Sequence, residues 1–456
     1  MFSTTTIKLL PNEKIKKIAD IQVSRRLLSY WKVKTNEEIT LFFGLTSVPV
    51  NITSIDEKEF VIHCSEALFS HLLLPIKNHS LHCDYLPSEN KLILGPIVAL
   101  LTEIKEQAYP VSFGTLSSFC EEIAHLAQNS GCFFYVTSLP LWNEKQIQGY
   151  YYENEKWHKA TMPFPHVVHN RIHSRKTEQG IMFQRLQDIL SKQGTPYFNT
   201  RFLNKWEVYE SLQAAPHLQP YVPPTELFRN MKILEESLDL YTVVFVKPVF
   251  GSQGRHIFKI QKHTTQYILE YTSFQDEIQT CYDSSTKLFQ SIKQQIKQKP
   301  YIVQKGLDLY TFKERPLDFR ILCHMNSYNK WKVTSAVARV SSKEQFVSNV
   351  ALGGEIHKID DVLRYTFDAK TTQHIKKLLA ELALETAKCI SLTYEGLFGE
   401  LGIDMAIDKE GNPWIIEVNS KPSKELLPAA SMNSIRPSVK SVLYYCIHIA
   451  QQFHKE

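Results

Sequence analysis

The chain is 456 residues long, more than one ordinary domain holds, and at about 150 residues per domain it divides into two to four. Hydrophobic residues at 43% and charged residues at 22% sit near the globular average, which excludes wholesale disorder. The 52 Lys and Arg against 47 Asp and Glu leave +5, too mild over this length to indicate a nucleic-acid partner, although it permits acidic ligands.

Residues 1–90 alternate short apolar runs (ITLFFG, SVPVNITSI, KEFVIH, LHCDYL, KLILG) with polar turns, at spacings that suit strands. A β-rich domain is expected there. From Leu92 the pattern becomes a run (ILGPIVALLTEI), a helix with Leu116, Phe119, Ile123 and Leu126 on one face, and a second run (CFFYVTSL). This alternation predicts a parallel α/β unit over 91–195, continuing through HVVHNRI and a helix from Gln179 to Lys192 that stops at Gly194 before Pro196. A third domain then spans 196–456, with helices near 203–214 and 371–390, hairpin-like strand pairs, and a Lys- and Gln-rich solvated helix from Lys287 to Lys299.

The eight cysteines form no CxxC pair, so zinc and redox spacings are absent, and they read as reduced, buried thiols of a cytosolic chain. The N-terminus has no apolar signal core, and the longest apolar run, Leu92 to Leu101, is about half of what a membrane span needs. A cytoplasmic protein with no membrane span is expected.

Glycine is scarce, 16 in all, so its clustering is informative. In VVFVKPVFGSQGRHIFKI a strand ends at Lys247, a loop holds Gly251, Ser252 and Gly254, and a strand returns. Neither a Walker A loop nor a Rossmann turn is present. Glycine-freed amides, the Ser252 hydroxyl and the Lys247 charge suit phosphate oxygens. A plain hairpin with a loose turn accounts for the same residues equally well.

The segment GIDMAIDKEGNPWIIEVNSKPSK reads as two strands about a turn at Lys409 to Pro413. If the hairpin is symmetric, Asp404 faces Glu417 and Asn419 shares that face, while Met405, Ile407, Trp414, Ile416 and Val418 take the core side. Two opposed carboxylates repel one another. A divalent cation reverses the sign, because oxygen ligands from Asp, Glu and Asn suit Mg²⁺ or Mn²⁺, with phosphate oxygens completing the shell. The competing reading is an exposed polar face with an incidental pair.

Arg320 in PLDFRILCH, and Arg339 on the same strand face as Val333 and Val337, each need an anion, either a structural carboxylate or a phosphate. Asn349, Gly353 and Gly354 in SNVALGGEI form a loop able to reach that anion, or simply a flexible turn. His166, His169 and His173 lack the HExxH pattern and read as surface or packing residues. Ile375, Leu378, Leu379, Leu382, Thr386 and Cys389 form a core-packing helix face.

In chain order, FNTRFLNKWEVYESL with Lys205, VKPVFGSQGR, YIVQKGL, RPLDFRI and FGELGIDMAIDKEGNPWIIEVNSKPSK form a set that resembles the ATP-grasp superfamily over about 195–430. With ILGPIVALLTEI and HVVHNRI, the sequence is similar back to about 90 to the YheC/YheD-type branch, the endospore coat-associated proteins. The resemblance implies an α/β and α+β multidomain architecture: an ATP-grasp fold preceded by a parallel α/β (pre-ATP-grasp) unit and the N-terminal β-rich domain. Within the third domain it implies a lid over about 205–305 and a metal-binding C-terminal lobe over about 306–456.

It implies roles as well. Lys205 and Lys247 hold α- and β-phosphates of ATP, with Gly251, Ser252 and Gly254 in the lid hairpin; Gln304 and the backbone of Lys305 and Gly306 meet the adenine edge. Asp404, Glu417 and Asn419 hold Mg²⁺ or Mn²⁺; Arg339 and Arg320 stabilise the transferred phosphoryl group; Asn349, Gly353 and Gly354 lie beside the acceptor. The implied reaction is carboxylate–amine ligation through an acylphosphate, on small-molecule or peptide substrates. It needs positioning and charge neutralisation but no protein nucleophile. The alternatives are an ATP-binding structural protein of the spore coat with little turnover, and a small-molecule kinase on the same fold. Spore coat components as partners, and a location in the mother cell or spore, follow from the resemblance alone.

Overall fold

The computed structural model describes residues 5–33, 38–106, 111–251, 256–272, 277–296, 299–342, 354–424 and 435–453. The chain forms two compact units, one of residues 1–200, 326–328 and 423–456, the other of residues 201–325 and 329–422.

In the first unit, seven strands between Thr5 and Gly95 close into a barrel. The alternation seen in the sequence is the cause: along Thr5–Pro11, Ile7 and Leu9 are buried while Thr6 and Lys8 are exposed. Closure joins Thr5–Pro11 to His79–Leu86, antiparallel, with Ile7 opposite Leu81. Gly44 makes the turn between Glu38–Phe43 and Thr46–Ile55 at φ +61, where an added Cβ would lie 2.3 Å from the Phe164 carbonyl oxygen.

The same unit holds a six-stranded sheet. Phe133–Thr137, Ile97–Leu101, Val167–Asn170 and Tyr197–Phe198 run parallel, and the hairpin of Ile147–Glu153 and Lys156–Met162 adds antiparallel strands beside Phe133–Thr137. Every residue of Ile97–Leu101 and Phe133–Thr137 is buried, as expected of strands covered on both faces. The helix Ser117–Asn129 packs on this sheet through Phe119, Ile123 and Leu126, and so does the C-terminal helix Pro437–Phe453. One hydrophobic core runs continuously from the barrel into the sheet.

In the second unit, Thr225–Leu227, Tyr301–Lys305, Val243–Pro248, Phe258–Lys262, Tyr267–Thr272 and Glu277–Tyr282 form an antiparallel sheet. The helices Met231–Tyr241 and Ser285–Ile296 share its core. The latter is the segment read as solvated; it is amphipathic instead, because Leu288, Ile292 and Ile296 recur at helical spacing and are buried.

A further sheet runs Glu355–His357, Trp331–Val340, Arg315–Met325, Glu400–Ile407, Pro413–Asn419. Its apolar face carries Phe319, Ile321, Ile403 and Met405 against the helix Ala369–Thr393, whose Ile375, Leu379 and Leu382 meet them. Asp318, Arg320 and Asp404 alternate with those apolar residues and fall on the opposite face.

Two bulges alter the expected faces. One between Asp404 and Met405 moves the pairing from Asp404 with Glu417 to Met405 with Ile415. Ile415 therefore enters the core, and Trp414 and Ile416, read as core residues, stay half-buried. The other, between Leu322 and Cys323, turns Val333 toward the core and away from the face of Arg339. The eight cysteines are free thiols; six are buried, but Cys281 is exposed and Cys389 half-exposed. His169 stacks on Phe198 with centroids 4.5 Å apart, and His166 Nδ1 accepts the Ile97 N–H at 2.9 Å, so both are packing residues.

Candidate functional site

The carboxylate pair builds the centre. Asp404 faces Glu417 across the hairpin and Gly402 faces Asn419, the register that hairpin symmetry predicts. Asn419 Nδ2 donates to Asp404 Oδ2 at 3.2 Å, so the three expected oxygen-bearing side chains share one face.

Both arginines answer the question their burial raised, and the answer is a carboxylate. Arg320 sits opposite Asp404 in the ladder and binds it with two nitrogens, Nε to Oδ1 and Nη2 to Oδ2, the latter at 2.9 Å. Arg339 forks onto Asp318 with two bonds of 2.6 Å and reaches Asp404 Oδ1 at 3.1 Å. Burial would raise the Asp404 pKa, but the Arg320 and Arg339 charges outweigh it and hold the carboxyl below its ordinary value. Burial likewise opposes the Arg339 charge, and Asp404 and Asp318 overcome it, raising that group. Asp318 is the member that sequence reasoning missed. The signal was in DFR: residues two apart on a strand share a face, so Asp318 accompanies Arg320.

Two lysines reach the same region. Lys205 opens the helix Lys205–Gln213, fixed by a capping box in which Asn204 accepts the Glu207 N–H at 2.9 Å. Its Nζ bonds Glu417 Oε1 and the Gly251 carbonyl oxygen, each at 2.9 Å. This ties the helix, the end of the glycine loop and the C-terminal hairpin together. Lys247 Nζ donates to Gln304 Oε1 at 2.6 Å, and Gln304 Nε2 donates to Thr225 Oγ1 at 3.0 Å. Burial first, and the neighbouring Lys205 charge second, lower the Lys247 pKa to about 8, with Glu417 pulling the other way.

The strand Tyr301–Lys305 is central in its sheet, so its amides are committed: Lys305 N–H goes to Pro224 O at 2.9 Å and Gly306 N–H to Val243 O at 2.8 Å. Pro224 has no N–H to return, which spares the Lys305 carbonyl a ladder bond on that side. Gly306 is required where it stands, since a Cβ there would lie 2.6 Å from Val243 Cγ1. Gly354 is described and half-buried ahead of Glu355–His357. Ser252, Gly254, Asn349 and Gly353 lie outside the described residues.

Four cations, Lys205, Lys247, Arg320 and Arg339, thus surround three carboxylates, Asp318, Asp404 and Glu417. Among the described residues no cluster of three or more His, Cys, Asp or Glu side chains makes a complete metal cage. Two carboxylates and an amide oxygen fit a hard dication that takes its remaining ligands from phosphate and water. No helix among the described residues is long and apolar enough to cross a membrane.

An antiparallel sheet with a lysine-bearing hairpin, joined in one unit with a second sheet carrying paired acids and arginines, is the architecture of an ATP-grasp protein. The family model for YheC/D-like ATP-grasp proteins matches residues 194–449, and the chain belongs to that family. The endospore coat-associated protein YheD of Bacillus subtilis (strain 168) is 27% identical over 397 residues, 86% of each chain. YheC of the same organism is 23% identical over 300 residues, 65% of this chain and 80% of that one. The VanG D-Ala:D-Ser ligase from Enterococcus faecalis aligns at 13% identity with a TM-score of 0.47, over 79% of this chain and 99% of that one, a likeness too remote to bear on chemistry.

Proposed function

We propose that the protein is an ATP- and Mg²⁺-dependent carboxylate–amine ligase. The observation that carries this reading is the convergence of Lys205 and Lys247 on the face that bears Asp404, Glu417 and Asn419. A positively biased cluster with oxygen ligands at its centre receives a triphosphate and its cation. Lys205 and Lys247 bind the phosphates, and Gln304, already bonded to Lys247, with the Lys305 carbonyl, orients the adenine. Gly251, Ser252 and Gly254 close over the phosphates.

Asp404, Glu417 and Asn419 hold Mg²⁺, which neutralises phosphate charge when bound. Arg339, with Arg320 behind it, steadies the transferred phosphoryl group, and Asn349, Gly353 and Gly354 flank the acceptor. A substrate carboxylate oxygen forms a bond to the γ-phosphorus as the bond to ADP breaks. The amine then attacks the acyl carbon, phosphate departs, and the amine loses its proton to solvent. The protein supplies alignment and charge, consistent with a cluster that has no nucleophile at its centre.

The substrates are small molecules or peptides, the reaction takes place in the cytoplasm, and the names of the two Bacillus relatives suggest an association with the endospore coat. One observation favours a second reading, a nucleotide-binding coat protein with little turnover: Asp404 is already neutralised by two arginines and needs no metal for stability. Incubation with Mg-ATP and pooled amino acids or peptides separates the readings. Acceptor-dependent ADP and phosphate with an amide product is the expected result. ATP binding without acceptor-dependent ADP release supports the structural reading, and a phosphorylated product supports a kinase.

A further inference from the structure

A cavity of about 460 Å³ lies within the first unit, beside the outer face of barrel strand Thr5–Pro11, the helix Ser117–Asn129 and the hairpin strand Ile147–Glu153. Its volume falls in the range of small-molecule sites. None of its lining belongs to the cluster around Asp404.

His79 lines it. The residue is 9% exposed, its ring stacked on Phe69 and edge-on to Phe133, and burial lowers its pKa to about 4, so it is neutral. Its Nε2 is 2.8 Å from the Pro75 carbonyl oxygen, a contact that only an N–H satisfies. Nε2 therefore carries the proton, and Nδ1 is a bare acceptor with no partner among the described residues.

Lys77 and Glu153 also line the cavity, paired at 3.0 Å with side chains 27% and 26% exposed, and Lys77 Nζ is 5.5 Å from the Tyr151 ring centroid. Such a pair discriminates by charge. An anion that takes Lys77 leaves Glu153 without its cation; a cation that takes Glu153 leaves Lys77; removing either partner from a partly desolvated pair is costly. A zwitterion serves both. Ala124, Ala127 and Phe133 supply an apolar wall for its side chain.

We propose that this cavity binds a free amino acid or dipeptide with an apolar side chain, its carboxylate on Lys77, its ammonium on Glu153 and an N–H directed at His79. The site is separate from the proposed ligase centre and does not depend on it.

Isothermal titration of the full chain, without nucleotide, with L-phenylalanine and L-leucyl-L-phenylalanine tests this, with phenethylamine and 3-phenylpropionate as single-charge controls. At least one zwitterion binds with a Kd of about a millimolar or tighter, and each control binds at least about tenfold more weakly. Glu153→Gln weakens binding at least about tenfold, and Ala127→Leu, which fills the cavity without touching charge, does the same; Glu417→Gln leaves it unchanged. Circular dichroism checks that each variant is folded, and either of the first two suffices if the other is not. Silence from both zwitterions, equal binding of a control, or binding that survives Glu153→Gln overturns the proposal. Loss of binding in Glu417→Gln overturns it too, by assigning the ligand to the ligase centre.

Discussion

Replacing Asp404 by Asn keeps the shape of the side chain and removes the charge that Arg320 and Arg339 share. At about 3 Å and an effective dielectric of about 20, each contact is worth about 5 kcal/mol of gross attraction. Asp404 is 6% exposed, so its own desolvation, several kcal/mol, cancels much of that. Arg339 retains Asp318, whereas among the described residues Arg320 keeps no carboxylate. The net loss is therefore about 3–5 kcal/mol, the usual result of stranding one partner of a buried pair.

Denaturant unfolding followed by intrinsic fluorescence reads this directly, because Trp206, Trp331 and Trp414 report on the second unit. Adding Arg320→Met to Asp404→Asn removes the stranded charge and restores more than half of the loss. A single variant within about 1 kcal/mol of the parent, or a double variant as unstable as the two singles summed, refutes the reasoning. The pH dependence is equally specific. The Asp404 pKa is lowered in the fold, so its stabilisation is fully present above about pH 4 and is lost only as the pH falls through the lowered value. The gap between parent and Asp404→Asn stays constant from pH 7 to about 4 and closes below that.

Glu417→Gln lowers acceptor-dependent ADP release at least about tenfold, measured by a coupled assay on protein shown to be folded; unchanged turnover removes the metal assignment. Lys247→Met stabilises the second unit by about 1 kcal/mol at pH 7 while weakening ATP binding, since it deletes a charge that burial disfavours. The parent should gain stability as pH rises from about 8, the folded value of Lys247, to about 10.4, its unfolded value, because the unfolded chain holds the extra proton there. The Met variant loses that slope, and in the parent ATP affinity falls above about pH 8, both readable by titration across that window. Gly306→Ala forces a Cβ to 2.6 Å from Val243 Cγ1 and 2.9 Å from its carbonyl oxygen, destabilising the sheet of Val243–Pro248 and Tyr301–Lys305 by about 1–3 kcal/mol in denaturant unfolding.

Where a local rule governs, the sequence was readable. Hairpin symmetry put Asp404 opposite Glu417, helical spacing found the elements now seen as Ser117–Asn129 and Ala369–Thr393, and the stop at Gly194 marked the end of Ile181–Gln193. What escaped was long-range. One extra residue on the partner strand, Ile416, set opposite the step from Asp404 to Met405, reverses the faces beyond it, so Ile415 rather than Ile416 is buried, and no residue type in AIDKEGNPWII announces that slip. The arginines required anions, but only strand pairing across 84 residues identifies Asp404 as the partner of Arg320. Closure of the barrel likewise depends on Thr5–Pro11 meeting His79–Leu86, a pairing invisible to any short window.

The first unit is split in the chain, its opening 200 residues separated by more than two hundred others from the helix Pro437–Phe453. That helix packs on Ser117–Asn129, Tyr445 sets its ring edge-on to Phe198, and Arg436 just before it holds Glu122 at 2.7 Å. During translation the barrel and parallel sheet emerge first, yet the surface awaiting Val439, Val442 and Leu443 stays bare until the ribosome has delivered the whole insert. Maturation of the earliest-made portion is thereby timed by its latest-made helix, and a nascent chain arrested before residue 437 presents an uncovered apolar seam to chaperones.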